Sequence, residues 1–231
     1  MEWINSTPGG LEGYDCKECL NRGYFAVLKE NGVRVNRPCR CMTIRAARER
    51  LRKSGLEDQV KRYSFANWQT PEWWQRVALE RARTYAEAPE GWLVLAGRPG
   101  SGKSHICTAV TAELIRRGRD ARYMLWKEEA TRAKAVVNDE EAYLAIVEPL
   151  KRAEVLYIDD FLKGVPGNGD KNLAFELINA RYLDERKLTI LSTEKTLEDL
   201  MAIDEAVGSR IYERSRGFYL NLSRAENWRL R

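Results

Sequence analysis

Residues 92–105 read WLVLAGRPGSGKSH, and the eleven residues after Ser104 read HICTAVTAELI. An apolar run ends on glycines at 97, 100 and 102, and apolar residues then recur at helical spacing, so the order is strand, glycine loop, helix. The GxxxxGK[ST] spacing suits a loop that wraps a polyanion with its backbone N–H groups, where side chains would obstruct the approach. Gly97, Pro99, Gly100, Ser101, Gly102, Lys103, Ser104 and His105 are therefore the expected nucleotide-binding residues. Lys103 is expected to reach the β- and γ-phosphates and the Ser104 hydroxyl to ligate magnesium, with the helix N-terminus adding its positive end. His105, the one histidine of the chain, is expected to pack and not to catalyse.

Some fifty residues on, VLYIDD (155–160) puts two carboxylates at the C-terminal end of an apolar strand, where open α/β sheets bind ligands. With the glycine loop beside them, Asp159 is expected to hold magnesium and Asp160 to orient or deprotonate an attacking water. Alone, the pair would equally serve as a helix cap. LTILSTE (188–194) ends in Ser192, Thr193 and Glu194, polar residues suited to sensing a γ-phosphate. Arg210 and Arg214 stand four apart on one helical face. They read either as arginines presented to a neighbouring subunit's nucleotide or as ordinary solvated residues.

Apolar runs alternate with amphipathic segments from Tyr63 onward, which implies an α/β fold with a parallel five-stranded sheet between helices. Expected strands are 92–96, 121–125, 155–158, 189–192 and 218–222; expected helices are 73–86, 103–117, 140–152, 172–185 and 205–216. Gly164 to Asp170 is the expected long loop.

The 231 residues and 44% hydrophobic content suit one ordinary domain and a small appendage. No apolar run approaches the roughly 20 residues of a membrane span, and MEWINSTPGG lacks the layout of a signal peptide, so a cytoplasmic protein is expected. Cys16, Cys19, Cys39 and Cys41 form CxxC and CxC pairs, suited to tetrahedral structural zinc and otherwise read as four unrelated thiols. Cys107 lies on the helix behind the glycine loop as a core residue. Residues 37–62 carry nine Lys/Arg against three acids, whereas residues 1–36 carry four against five. That basic stretch is either a nucleic-acid contact or a solvated helix. The resulting division is a zinc-binding module (1–42), a basic helical linker (43–62) and an ATPase domain (63–231).

Taken together, the N-terminal cysteines, GRPGSGKSH (97–105), RYMLW (122–126), VLYIDD, AFELINARY (174–182), LTILSTE and IDEAVGSRIYERSRG (203–217) resemble the AAA+ replicative-helicase loaders of the DnaC/DnaI kind. The phage-type, DnaC-like or IstB-like ATP-binding proteins are the nearest in pattern. The resemblance implies a chain that delivers a DnaB-type helicase onto single-stranded DNA, with an N-terminal module that grips the helicase and an ATPase module that self-associates. It makes Lys103 and Ser104 the Walker A residues, Asp159 and Asp160 Walker B, 192–194 sensor 1 and Arg214 the arginine finger, a role Arg210 shares. It also implies that Arg132 and Lys134, in KEEATRAKAVVN (127–138), contact DNA phosphates, and that no C-terminal helical lid follows the last strand. Glu194 departs from the family, where many relatives carry Asn. A transposition helper of the IstB kind and a small P-loop metabolite kinase are the competing readings.

Overall fold

The computed structural model describes residues 5–223, 225, 227 and 228, so residues 1–4 of the expected N-terminal module lie outside the described residues. The chain forms two compact units, Met1–Arg50 and Leu51–Arg231. The expected linker, residues 43–62, is largely helical, over α1 (Cys41–Ser54) and α2 (Glu57–Arg62), and the division between the units falls within α1. Gly55, at φ +82°, ends α1.

In the first unit β1 (Tyr24–Leu28) pairs antiparallel with β2 (Arg34–Pro38), in register from Tyr24 opposite Pro38 to Leu28 opposite Arg34. This hairpin is absent from the expected elements, although Asn31-Gly32 is its turn signal: Gly32 takes φ +78° and Lys29 N–H bonds the Val33 carbonyl at 2.9 Å. The four cysteines are at most 5% exposed, with Tyr14 and Phe25 packed against them. So small a unit buries little apolar surface of its own.

In the second unit five parallel strands lie in the order β4-β5-β6-β3-β7. They are β3 (Trp92–Gly97), β4 (Ala121–Leu125), β5 (Val155–Asp159), β6 (Leu188–Thr193) and β7 (Tyr219–Leu222). All five expected strands are present. β3 is buried on both sides: Trp92 and Val94 join one core layer, Leu93 and Leu95 the other. The first layer is covered by α5 (Trp126–Ala135), α6 (Glu140–Arg152), α7 (Asn168–Tyr182), α8 (Leu197–Ile203) and α9 (Glu205–Arg214). The second is covered by α3 (Trp73–Glu87) and α4 (Lys103–Arg116), with Leu56 beneath them. Helices on both faces are what a parallel sheet requires.

Three expectations are corrected. The 164–170 loop is helical from Asn168, because Asp170 Oδ2 accepts the Gly167 N–H at 3.0 Å and caps α7 early; the helix then ends at Tyr182 and not at 185. α8 was not expected, yet Thr196 and Asp199 cap its start reciprocally. The helix expected over 205–216 stops at Arg214.

Candidate nucleotide site and cysteine cluster

β3 leaves the sheet at its C-terminal edge and turns into α4 through Arg98 to Gly102. Gly100 and Gly102 take φ of +76° and +86°, where a side chain is strained, and a Cβ on Gly102 would stand 2.5 Å from the Trp68 ring. No side chain caps α4, so its first N–H groups are available to an anion. The Lys103 ammonium donates to the carbonyls of Gly97 (2.8 Å) and Arg98 (2.9 Å), and burial lowers its pKa against the opposing pull of Glu194 and Asp160.

β5, two strands away from β3, delivers the acids. Asp159 Oδ1 accepts from Ser104 Oγ at 2.9 Å and from Ser192 Oγ; Asp159 Oδ2 faces the Tyr123 hydroxyl at 3.5 Å. Burial, then the Asp159 charge, pushes the Tyr123 phenol up, so it stays a donor. Ser192 Oγ also accepts the Asp160 N–H at 2.9 Å, and its carbonyl accepts the Phe161 N–H at 2.8 Å. Thr193 Oγ1 donates to the Phe161 carbonyl at 2.9 Å. Ser192 and Thr193 therefore hold the Asp159–Phe161 turn in place. Glu194 reaches the cleft, where Lys163 pairs with it at 3.4 Å and with Asp160 at 2.8 Å.

The cleft encloses about 510 Å³ and is lined by the glycine loop, Asp160, Lys163, Glu194 and an aromatic wall of Tyr63, Trp68 and Trp74. His105 is packed between Tyr63 (centroids 5.1 Å apart) and Trp68 (5.0 Å), and its Nε2 lies 2.8 Å from the Ser64 carbonyl. Burial lowers its pKa. Sequence reading missed this wall and Lys163; the signal available was two tryptophans, Trp68 and Trp74, just ahead of the glycine-loop strand.

Arg210 and Arg214 do not line the cleft of their own subunit. Arg210 lies over Phe175 and Tyr182 (5.5 and 5.4 Å) and donates to the Ala206 carbonyl. Arg214, 13% exposed, donates to the Glu185 carbonyl at 2.9 Å. On α5, Arg132 pairs with Glu129 at 2.8 Å and Lys134 with Asp170 at 2.6 Å.

In the first unit the four Sγ atoms lie within 4.8 Å of one another, with Cys16–Cys39 at 3.8 Å and Cys19–Cys41 at 3.5 Å. Tetrahedral Zn–S bonds of about 2.3 Å require S···S separations of about 3.8 Å. Gly23 N–H points at Cys19 Sγ from 3.2 Å, and Leu20 and Asn21 take left-handed φ to make that turn. Four buried, converging thiols with an N–H donor fit a zinc ion.

The model of the IstB-like ATP binding protein family matches residues 27–214. The chain belongs to that family. It is accordingly an AAA+ P-loop ATPase. The PBSX phage-like element protein XkdC of Bacillus subtilis (strain 168) is 33% identical over 87% of this chain and 79% of its own length. A crystal structure of the DnaC helicase loader superposes with a TM-score of 0.61 at 25% identity, over 68% of this chain and 95% of that one. A DNA replication initiation factor shares the fold (TM-score 0.60, 21% identity) over 73% of this chain, which spans about half of it (52%). Among the described residues, no helix is long and apolar enough to cross a membrane.

Proposed function

We propose that this chain is an ATP-dependent loader that delivers a DnaB-type replicative helicase onto single-stranded DNA. The observation that carries the reading is the likeness to the DnaC helicase loader, which covers 95% of that structure. The site supports the ATP-driven part. Lys103 and the open N-terminus of α4 take the β- and γ-phosphates, and Asp160 orients the attacking water and takes its proton. Ser104 and Asp159, already 2.9 Å apart, would hold magnesium, which neutralises charge on the phosphates. Glu194 registers the γ-phosphate.

Arg214, with Arg210, acts on a neighbouring subunit's nucleotide, so hydrolysis depends on self-association. Neither arginine lines its own cleft, which supports a role in trans. The zinc-clipped first module (1–42) and the basic segment that follows (43–62) contact the helicase. Arg132 and Lys134 give DNA phosphates a contact once they leave Glu129 and Asp170, a weak exchange for exposed pairs.

The test is co-purification of the full chain with the replicative helicase of its own host, with and without ATP. A stoichiometric complex supports the loader. Failure to bind the helicase, with binding to a transposase and to duplex DNA instead, assigns the chain to transposition.

A further inference from the structure

Lys163 lines the cleft but belongs to none of the nucleotide-binding motifs. It leaves a turn in which Asp160 and Leu162 take φ of +55° and +52°, left-handed values that non-glycine residues adopt only where surroundings enforce them. Here the Ser192 hydroxyl and carbonyl fix Asp160 and Phe161 at their N–H groups, and Lys163 N–H closes the turn on the Asp160 carbonyl at 3.1 Å. The result is an ammonium set between two carboxylates from different elements: Asp160 Oδ2 at 2.8 Å and Glu194 Oε1 at 3.4 Å. All three side chains line the cleft that holds Lys103.

The backbone beside each acid is anchored by Ser192 and Thr193, whereas the lysine reaches both acids from the end of a long side chain. Lys163 is 44% exposed and carries its charge on a flexible four-carbon stem with three donors, whereas the carboxylates are 24% and 27% exposed. A terminal phosphate entering between Lys103 and Asp160 offers that ammonium several anionic oxygens in place of one carboxylate oxygen at 2.8 Å and another at 3.4 Å. It also repels both acids.

We infer that Lys163 is a positioning residue that ties Asp160 to Glu194 and exchanges that bridge for the terminal phosphate of a nucleoside triphosphate, releasing Asp160 toward the attacking water only when a γ-phosphate is present. The inference rests on the cleft being the nucleotide site. A diphosphate, which lacks the third phosphate, leaves the bridge in place. The chain would then carry, within one subunit, a residue that reads triphosphate against diphosphate, separate from the arginines that report a neighbour.

The experiment measures equilibrium binding of a non-hydrolysable ATP analogue and of ADP, each with magnesium, to full-length wild type, K163M, K163R and K103A. The expected result is that K163M weakens the analogue by about tenfold, the scale of one charge-assisted hydrogen bond, and ADP by less than about twofold. K163R should restore most of the preference, and turnover at saturating ATP should fall in K163M and recover in K163R. An unchanged analogue-to-ADP ratio in K163M, or an equal weakening of both nucleotides, overturns the role of Lys163. If the wild type binds neither nucleotide, or K103A binds both as well as wild type does, the cleft is not the nucleotide site and that reading fails first.

Discussion

Ser104 Oγ donates a 2.9 Å hydrogen bond to Asp159 Oδ1, although 55 residues separate the two in the chain. The contact joins the first turn of α4 to the end of β5, and Ser192 on β6 donates to the same oxygen. Three elements thus converge on one carboxylate at the edge of the glycine loop, with a hydroxyl and a carboxylate placed to share a divalent cation. Lys103→Ala should lose ATP binding and turnover together. Asp160→Asn should keep binding and lower turnover by about a hundredfold or more, the scale of removing a group needed in the transition state. Phosphate release and nucleotide titration on the two variants check this; undiminished hydrolysis in either contradicts the assigned roles.

Ser192 has two tasks, donating to Asp159 and accepting from Asp160 N–H. Ser192→Ala leaves the β6 backbone intact but frees both. Turnover should drop by about tenfold while the affinity for ATP changes by less than about threefold, since the acids are loosened and the phosphate loop is untouched. Steady-state kinetics decide it: a rise in KM with kcat preserved would mean that Ser192 serves binding alone.

The cysteine cluster should carry about one zinc per chain in reduced protein purified without chelator. Cys19→Ser, which removes the thiol that accepts the Gly23 N–H, should abolish stoichiometric metal. Elemental analysis reads both. Metal-free protein whose first unit resists proteolysis as the untreated protein does would contradict a structural ion.

Arg214→Ala should lose hydrolysis in concentrated, assembled protein and leave the low activity of dilute monomer unchanged. Turnover measured across protein concentration, alongside sedimentation, separates these. Because the Arg214 side chain is 13% exposed and bonds the Glu185 carbonyl, a melting curve of the variant must accompany the assay. An equal loss in monomer would place the arginine's role within its own subunit.

The sheet was legible because its strands are short apolar runs punctuated by glycines and acids, and the glycine loop has one mechanical reason for its spacing. The β1–β2 hairpin was missed because β2 reads RVNRP, almost wholly exposed, without the alternation that marks a strand. The start of α7 lies inside a glycine-rich stretch that reads as loop, because Asp170, three residues beyond Gly167, supplies the cap. In the site, Lys103, Ser104 and Asp159 were readable from spacing. Lys163 was not, because its contact with Glu194 depends on how β5 and β6 lie side by side. Arg181 illustrates the same limit: it looks like a surface residue of AFELINARY, yet it is fully buried, its guanidinium donating to the carbonyls of Leu150, Ala153 and Leu188.

We propose that ATP turnover in this chain serves to place a ring helicase on DNA. The most direct measurement is transfer of the host's DnaB-type helicase to circular single-stranded DNA coated with single-strand-binding protein, scored by recovery of helicase with the circles. With wild-type protein and ATP, helicase should accumulate on the DNA; without the protein, or with Lys103→Ala, it should stay in solution. Helicase recovery that is the same with and without this protein would contradict the account.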